Sequence, residues 1–189
     1  MKQVPLEATK EKITKTKIAY RGSILSVAEK SIDFGNDNKR TFEVVEWNVV
    51  TGVSALPLLD EQTVLLIEHF QAGIETTCLS LPTGGLSQGE KPQKRMNIEL
   101  QEEIGYRAEE LTLMYRSHVL PGYNGAEAGY VYLAKQLIPS KLVGDEPFDI
   151  KIHAVSLAKL IEMIKSGEII DSRTALAILY YQTFLHNKS

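Results

Sequence analysis

The sequence predicts an α+β fold in which helices pack on a mixed sheet. Three observations lead to this prediction. Runs of alternating or β-branched residues, which are typical of strands, outnumber the helical segments. One acidic helical segment lies between strands in mid-chain, and two helical segments close the chain. The length of 189 residues, with 43% hydrophobic and 24% charged residues, suits one globular domain with a small appendage.

The N-terminal part of the chain is predicted to be an antiparallel β segment. Residues 17–34 alternate as strands do and stop at the turn cluster GNDNKR, and residues 41–59 are rich in β-branched side chains. Two or three strands are marginally stable alone and need something to pack against. We therefore divide the chain into an N-terminal β-rich segment, 1–50, and a main domain, 51–189.

The main domain is predicted to hold five more strands and three helices. The strands are residues 63–70, 78–85, 111–120, 129–138 and 148–155. The strand 78–85 is expected to end in a turn made by Pro82, Gly84 and Gly85. The helices are residues 91–105, 156–167 and 171–186, with start and stop signals at Ser156, Asp171, Pro92, Gly105 and Gly167. In the last helix, Leu176, Leu179 and Tyr180 fall on one apolar stripe.

Charge and cysteine content exclude several classes of protein. A net charge of -3 argues against a general nucleic-acid binder, because phosphate backbones demand a basic surface. The single cysteine, Cys78, cannot form an internal disulfide and is no basis for a zinc site. No apolar stretch approaches the length of a membrane span, and the N-terminus lacks the apolar core of a signal peptide. We expect a cytoplasmic protein without nucleic-acid or membrane partners.

The mid-chain helix carries three carboxylates on one side. At 100° per residue, Glu99, Glu102 and Glu103 fall within about one quadrant, and Arg95 lies on the same side. Exposed glutamates usually do no more than keep a surface soluble. Convergent carboxylates without matching cations, however, favour a hard divalent metal such as Mg²⁺, which takes oxygen ligands and keeps waters for a phosphate substrate.

The spacing around this helix resembles the Nudix box. From Gly84, five residues lead to Glu90, seven more follow, and then comes IELQEEIGY. The positions that match the box are Gly84, Glu90, Glu99, Leu100, Glu102, Glu103, Gly105 and Tyr106. One position departs, because Ile98 stands where the family has an arginine that pairs with carboxylates of the box. Arg95, one helical turn earlier, is our candidate substitute.

The resemblance implies a fold, a reaction and a set of metal ligands. The fold would be the α/β/α Nudix sandwich, and the reaction would be attack of water on a phosphorus atom of a diphosphate, assisted by Mg²⁺ or Mn²⁺. Carried over by position, Glu99 and Glu103 would hold the metal, assisted by Glu102 and the carbonyl of Thr83. Glu103 is also counted among the catalytic residues.

Residues outside the box resemble the ADP-ribose pyrophosphatase subgroup. Pro121 stands fifteen residues after Tyr106, where that subgroup has a proline. The resemblance implies a nucleoside diphosphate sugar as substrate and a homodimer joined through the N-terminal segment. The implied substrate-binding residues are Phe70, Gln71, Pro121, Gly122 and Glu127. The chain lacks the arginine that the subgroup usually has at Gln71, which makes ADP-ribose itself less secure than the wider class.

A general base is expected in the acidic loop that follows the Pro-Gly segment. Glu146 is the best match to the subgroup's base, and Asp145 and Asp149 are close rivals. A plain solvated acidic loop is the alternative reading. Some relatives carry an additional acidic metal ligand two residues further on, where this chain has Phe148, so a metal bound there is not expected.

Two other functions remain open from the sequence. One is a Nudix enzyme that acts on nucleoside triphosphates or dinucleotide polyphosphates, although the position of Pro121 and the long N-terminal segment speak against it. The other is a nucleotide-sugar-binding or regulatory protein with an impaired box. Its direct support is Ile98, and the intact glutamates oppose it.

Overall fold

The computed structural model describes residues 10–144 and 149–186. These residues form ten strands and three α-helices. The strands are β1 Lys12–Arg21, β2 Leu25–Asp33, β3 Lys39–Trp47, β4 Thr51–Pro57, β5 Thr63–Gln71, β6 Thr76–Ser80, β7 Thr83–Leu86, β8 Tyr106–Ser117, β9 Gly129–Pro139 and β10 Lys151–Ser156. The helices are α1 Pro92–Glu99, α2 Leu157–Ser166 and α3 Ser172–Tyr180. A π-helical turn extends α1 over Leu100–Ile104, and another extends α3 over Tyr181–Leu185.

The first of two compact units contains the N-terminal strands. It consists of the described residues up to Val50 together with His118–Glu127, and its strands form an antiparallel sheet in the order β1-β2-β3. The loop 118–127 lies within the sequence range assigned to the main domain, yet it joins this unit through Tyr123 and Gly125. The backbone N–H of Val45 donates to Tyr123 O over 2.7 Å, and that of Gly125 donates to Val45 O over 2.8 Å.

The predicted strand over residues 41–59 is wrong in one respect, because the structure divides it in two. β3 ends at Trp47 and β4 begins at Thr51. Between them, Asn48 turns away from the strand direction, and its backbone N–H donates to Ile24 O over 3.1 Å. The side-chain amide of Asn48 also donates to Ser23 O. The two halves of the run therefore belong to different compact units.

The second unit, Thr51–Ser117 with the described residues from Ala128 onward, confirms the predicted α+β fold and its mixed sheet. One sheet has the order β7-β4-β9-β8, in which β4 and β9 run parallel and the other pairs are antiparallel. The other sheet has the antiparallel order β10-β5-β6.

Alternate residues of the central strands face two separate cores. On β5, Val64 and Leu66 pack with α2 and α3, whereas Leu65 and Ile67 pack with α1 and its π-helical turn. A strand that is buried on both faces reads as a continuous apolar run, as VLLI does here. The layers are therefore helix, sheet and helix, as predicted.

The caps of the last two helices confirm the start and stop signals. The Ser156 side chain accepts a hydrogen bond from Lys159 N, and Gly167 ends α2 with a left-handed φ of 79°. The Asp171 side chain accepts from Thr174 N at the start of α3. No helix among the described residues has the length and apolar character needed to span a membrane.

The predicted apolar stripe of α3 is wrong. Leu176 and Leu179 are 47% and 41% exposed, and Tyr180 is only partly buried. The core side of the helix is instead formed by Thr174, Ala177, Ile178 and Tyr181. Ala177 and Thr174 are fully buried while two leucines of the same helix are exposed, so apolar character alone does not select the buried face.

Candidate active site

The acidic segment forms the predicted helix, but its second half is wider than an α-helix. Pro92 is the first helical residue, and Gly105 ends the segment in the left-handed region with φ 77°. Between them, the α-helix stops at Glu99 and a π-helical turn follows over Leu100–Ile104. Such π turns inside helices occur frequently at functional sites.

The three glutamates of the helix differ in exposure. Glu99 and Glu103 are 4% and 5% exposed, whereas Glu102 is partly exposed. Carboxylates are almost never buried unless a partner compensates the charge. The burial of Glu99 and Glu103 therefore sets them apart from the solvated glutamates of an ordinary surface helix.

Strand β7 contacts both buried carboxylates. A Cβ atom built on Gly84 would overlap the carboxylate of Glu99, so only glycine leaves room there. The backbone N–H of Thr83 donates to Glu103 Oε2 over 2.9 Å. The structure thus brings together Thr83, Glu99 and Glu103, three of the four predicted metal ligands, and Glu102 follows on the same π-helical turn.

The predicted glycine turn is wrong, because Gly84 and Gly85 lie inside β7. They pair with Val53 and Gly52 of β4 in an antiparallel ladder. The turn before the helix comes later, where Glu90 N donates to Ser87 O over 3.2 Å and the φ of Gly89 is 81°. Gly84 is therefore required for close approach of a side chain and not for a turn.

Arg95 pairs with the buried Glu99. Its Nη2 atom lies 2.5 Å from Glu99 Oε1, one helical turn away. Ile98, at the box position of the family's arginine, is a partly buried apolar side chain. The positive charge near Glu99 thus comes from a position three residues before the expected one.

The segment after β9 is fastened to the end of the acidic helix. Lys141 Nζ donates to Glu102 O over 2.5 Å, and Ser140 Oγ donates to Gln101 Oε1 over 2.9 Å. A cation at a helix C-terminus also interacts favourably with the helix dipole. Sequence reasoning missed this anchorage, because nothing local indicates that residues 39 positions apart meet.

The proposed general base, Glu146, lies outside the described residues, and so do its rival Asp145 and Phe148. The other rival, Asp149, is described and exposed. The assignment of the base therefore stays a prediction.

Phe70 and Gln71 lie at the end of β5. Phe70 is 50% exposed, and Gln71 Nε2 lies 2.8 Å from a ring nitrogen of His69. Glu68 directly precedes His69 on the same strand, and a hydrogen bond from the Lys151 side chain holds the pKa of its carboxyl group below the usual value. An exposed aromatic ring is able to contact a nucleotide, and the substrate-binding role of Phe70 and Gln71 stays a prediction.

The other three predicted substrate-binding residues belong to the first compact unit. Pro121, Gly122 and Glu127 are all exposed. They follow Leu120, which has a left-handed φ of 51°, a costly conformation for a leucine. Their part in a substrate site stays a prediction.

Two further residues position the elements of the site and were missed in the sequence. Asn97 on α1 accepts from Ala108 N over 2.8 Å and donates to Ala108 O over 3.0 Å, which fastens the helix to β8. Thr174 Oγ1 accepts from Leu81 N over 3.0 Å, just before β7. An asparagine in a helix interior is unfavourable unless it has such partners, and this is the signal that could have identified Asn97.

The donor set suits a hard divalent cation bound together with a substrate. Within residues 10–144 and 149–186, no three His, Cys, Asp or Glu side chains lie close enough to hold a metal ion by themselves. Magnesium-type ions, however, are usually held by one or two carboxylates, and waters and substrate phosphates complete the shell. Glu99 and Glu103 would meet that requirement, because both are buried carboxylates on adjacent turns.

Comparisons with known proteins show which family and fold this chain resembles. A family model described as the NUDIX domain matches residues 49–171. The chain is 27% identical to an ADP-ribose pyrophosphatase of Bacillus subtilis (strain 168), over 94% of this chain and 95% of that protein. It is 25% identical to a methanol dehydrogenase activator of Bacillus methanolicus, over 91% and 92% of the two chains. A crystal structure of an ADP compounds hydrolase shares the fold with a TM-score of 0.83, at 24% identity over 96% of this chain and 97% of that one.

Proposed function

Because the chain belongs to the Nudix family, we propose that it hydrolyses the diphosphate bond of nucleoside diphosphate sugars. The products would be a nucleoside monophosphate and a sugar phosphate. The observation that carries the proposal is the pair of buried carboxylates, Glu99 and Glu103, held against Gly84 and Thr83 of β7. The B. subtilis relative, which is named an ADP-ribose pyrophosphatase, supports ADP-ribose or a similar sugar as the substrate.

The metal in this proposal is Mg²⁺ or Mn²⁺, held by Glu99 and Glu103. Glu102 and the carbonyl of Thr83 assist. When bound, the ion supplies charge stabilisation for the phosphoryl oxygens and orients the diphosphate. The backbone N–H of Thr83 keeps Glu103 in place, and Arg95 neutralises part of the charge of Glu99.

Water activation is assigned to Glu146, with Asp145 and Asp149 as the rivals that a test must include. A carboxylate is the expected base because the segment with Asp145, Glu146 and Asp149 resembles the acidic loop that supplies the base in the subgroup. Replacement of each of the three by its amide separates them. Only replacement of the true base should lower kcat sharply and leave the metal affinity unchanged.

On the substrate side, Phe70 and Gln71 would contact the nucleotide. Pro121, Gly122 and Glu127 would shape the wall beside the sugar. The exposed ring of Phe70 supports its role, since an unburied aromatic face is available for stacking. Truncation of Phe70 to alanine should raise KM more than it lowers kcat, because contacts made away from the reacting phosphorus are made equally in the ground state.

We also propose a homodimer in the cytoplasm. Support for the dimer comes from β1. This strand lies at the edge of its sheet and pairs only with β2, and all of its residues are exposed. Ile13, Tyr20 and Ile24 are 61%, 60% and 68% exposed, which is unusual for large apolar side chains in one short region. Light scattering after gel filtration should give the mass of two chains, and cell fractionation tests the location.

The experiment that tests the function is a substrate panel with purified protein. ADP-ribose, ADP-glucose, GDP-mannose and UDP-glucose are each incubated with Mg²⁺ or with chelator, and a phosphatase converts the products to free phosphate. We expect turnover of at least one sugar that depends on the metal. Glu103→Gln should lower kcat/KM by about 100-fold or more, since a ligand to the metal is lost. Glu162→Gln, an exposed glutamate on α2, is the matched control and should be unchanged.

The panel also separates the alternatives. Turnover of nucleoside triphosphates or dinucleotide polyphosphates in preference to every sugar would assign the chain to another branch of the family. No turnover of any compound, together with tight binding of a nucleotide sugar, would favour a binding or regulatory protein. In that case Ile98→Arg would be the first variant to test for hydrolysis.

A further inference from the structure

Glu99 is a buried carboxylate with a cation directly against it. The side chain of Glu99 is 5% exposed and that of Arg95 is 26% exposed, and the Nη2 and Oε1 atoms are 2.5 Å apart. An ion pair in such a position is much less screened than one on the surface. Removal of Arg95 takes a compensating cation away from a buried charge, which is destabilising.

The position of this cation differs from the family pattern. The residue directly before Glu99 is Ile98, which is apolar and partly buried and offers no charge. The guanidinium instead reaches Glu99 from one helical turn earlier, where an i,i+4 pair lies on the same face of the helix. We propose that Arg95 is a positioning residue that has taken over the task of the missing box arginine and orients Glu99 for the metal.

Two contacts of the Glu99 carboxylate support this proposal. Oε1 is the atom nearest to the vacant Cβ position of Gly84, and it is also the atom that contacts Arg95. The backbone of β7 therefore limits where the carboxylate can move, and the guanidinium holds it there. An arginine suits this task because its guanidinium is always charged and is more weakly hydrated than an ammonium, which favours partly buried ion pairs.

The proposal rests on the proposed function only in taking Glu99 as a metal ligand. Its direct consequence concerns affinity for the metal and not turnover. Residues that hold a metal ligand in place typically contribute 10- to 100-fold to metal affinity. Arg95 should therefore be detected in a metal titration without any substrate.

The test is a Mn²⁺ titration followed by electron paramagnetic resonance on the full-length protein, well below its melting temperature. The variants are Arg95→Leu, Arg95→Lys and the double variant Arg95→Leu/Ile98→Arg. Lys94→Leu is the matched control, because it removes the same charge from the exposed neighbouring position. Turnover of the sugar panel is measured on the same samples.

We expect Arg95→Leu to raise the Kd for Mn²⁺ by about 10-fold or more, and Arg95→Lys to raise it less. The double variant should recover most of the affinity, since the charge returns to the family position. Lys94→Leu should stay within about twofold of the wild type. If Arg95→Leu does not fold, the graded Arg95→Lys variant and the rescue by Ile98→Arg decide the question.

Two results separate this inference from the proposed function. Wild-type affinity for Mn²⁺ in a folded Arg95→Leu variant would overturn the inference, even if the wild type hydrolyses nucleotide sugars. Loss of Mn²⁺ binding in that variant, restored by Ile98→Arg, would uphold the inference even if no substrate of the panel is hydrolysed. A melting temperature that falls without any change in Kd would reduce Arg95 to a structural role and would also overturn the inference.

Discussion

The carboxylate of Glu99 occupies the space over Gly84 in which any other residue would carry its Cβ atom. The next contact along the same strand is the hydrogen bond from Thr83 N to Glu103 Oε2. Thr83 and Gly84, two consecutive residues of β7, therefore contact two carboxylates that come from successive turns of the helix. The strand and the acidic helix form one structural unit, and a change in either should disturb the other.

Substitution of Gly84 by alanine is the first prediction. The added methyl group overlaps the Glu99 carboxylate, so the buried glutamate must move or the strand must shift. Overpacking of this kind costs about 1–3 kcal/mol of stability. We expect metal-dependent hydrolysis to fall by about 100-fold or more, because the displaced ligand is one of two buried ones. Steady-state kinetics and urea unfolding measure the two effects.

Gly52→Ala is the control for that substitution. Gly52 lies on the neighbouring strand β4, and a Cβ atom there would meet only Gly84 O, at an ordinary distance of 3.7 Å. Its activity should stay near that of the wild type. Equal losses in both variants would mean that the sheet, and not the Glu99 contact, is sensitive to added methyl groups.

The second prediction concerns Thr174, which connects α3 to the segment before β7. Its hydroxyl accepts from Leu81 N over 3.0 Å and donates to Asp171 Oδ2 over 2.5 Å. Thr174→Val keeps the shape of the side chain but leaves the Leu81 N–H without this acceptor. The free energy of unfolding, measured in urea, should therefore fall by about 1–3 kcal/mol. Thr174→Ser keeps the hydroxyl and should lose less. The same loss in both variants would assign the effect to the methyl group.

The features that the sequence predicted well depend on local chemistry. Pro92 and Gly105 bound the acidic helix, because a proline suits the first helical turn and a glycine tolerates the left-handed φ of 77° at its end. Ser156 and Gly167 do the same for α2. The resemblance to the Nudix box implied that Thr83 lies near the acidic helix, and its backbone N–H does donate to Glu103 Oε2, while the role of its carbonyl toward a metal stays a prediction.

The features that the sequence did not predict depend on contacts between distant segments. Gly84 was expected in a turn, yet pairing with Val53 of β4 extends the chain there. Ala177 of α3 is buried and Leu176 is exposed, because the side of the helix that contacts the core is set by tertiary packing, which no local pattern records. The π-helical turn over Leu100–Ile104 likewise has no signature in the order of these residues.

Asn97 provides the third prediction. Its side-chain amide makes two hydrogen bonds to the backbone of Ala108, so Asn97→Ala removes both at once. The backbone groups of Ala108 lose these partners, and we expect a loss of about 1–3 kcal/mol in the free energy of unfolding. Gln93→Ala, on the exposed side of the same helix, should change it by less than about 0.5 kcal/mol. A loss of similar size in both would mean that truncation of any polar side chain on this helix is destabilising, and that the contact with β8 is not responsible.

The last prediction concerns stability at high pH and the buried Tyr115. Burial raises the pKa of Tyr115 from 10.0 to about 12, and within the described residues its hydroxyl makes no hydrogen bond. In the unfolded chain the phenol loses its proton near pH 10, while in the folded protein it stays neutral until about pH 12. The unfolded state therefore binds fewer protons in that window, and the free energy of unfolding falls as the pH rises through it. In Tyr115→Phe the free energy of unfolding should fall less steeply with pH, by at most the contribution of about one proton. At neutral pH the variant should be at least as stable as the wild type, because no hydrogen bond is lost. Urea unfolding at a series of alkaline pH values measures both, and an unchanged slope in the variant would show that Tyr115 ionises in the folded protein as readily as in the unfolded chain.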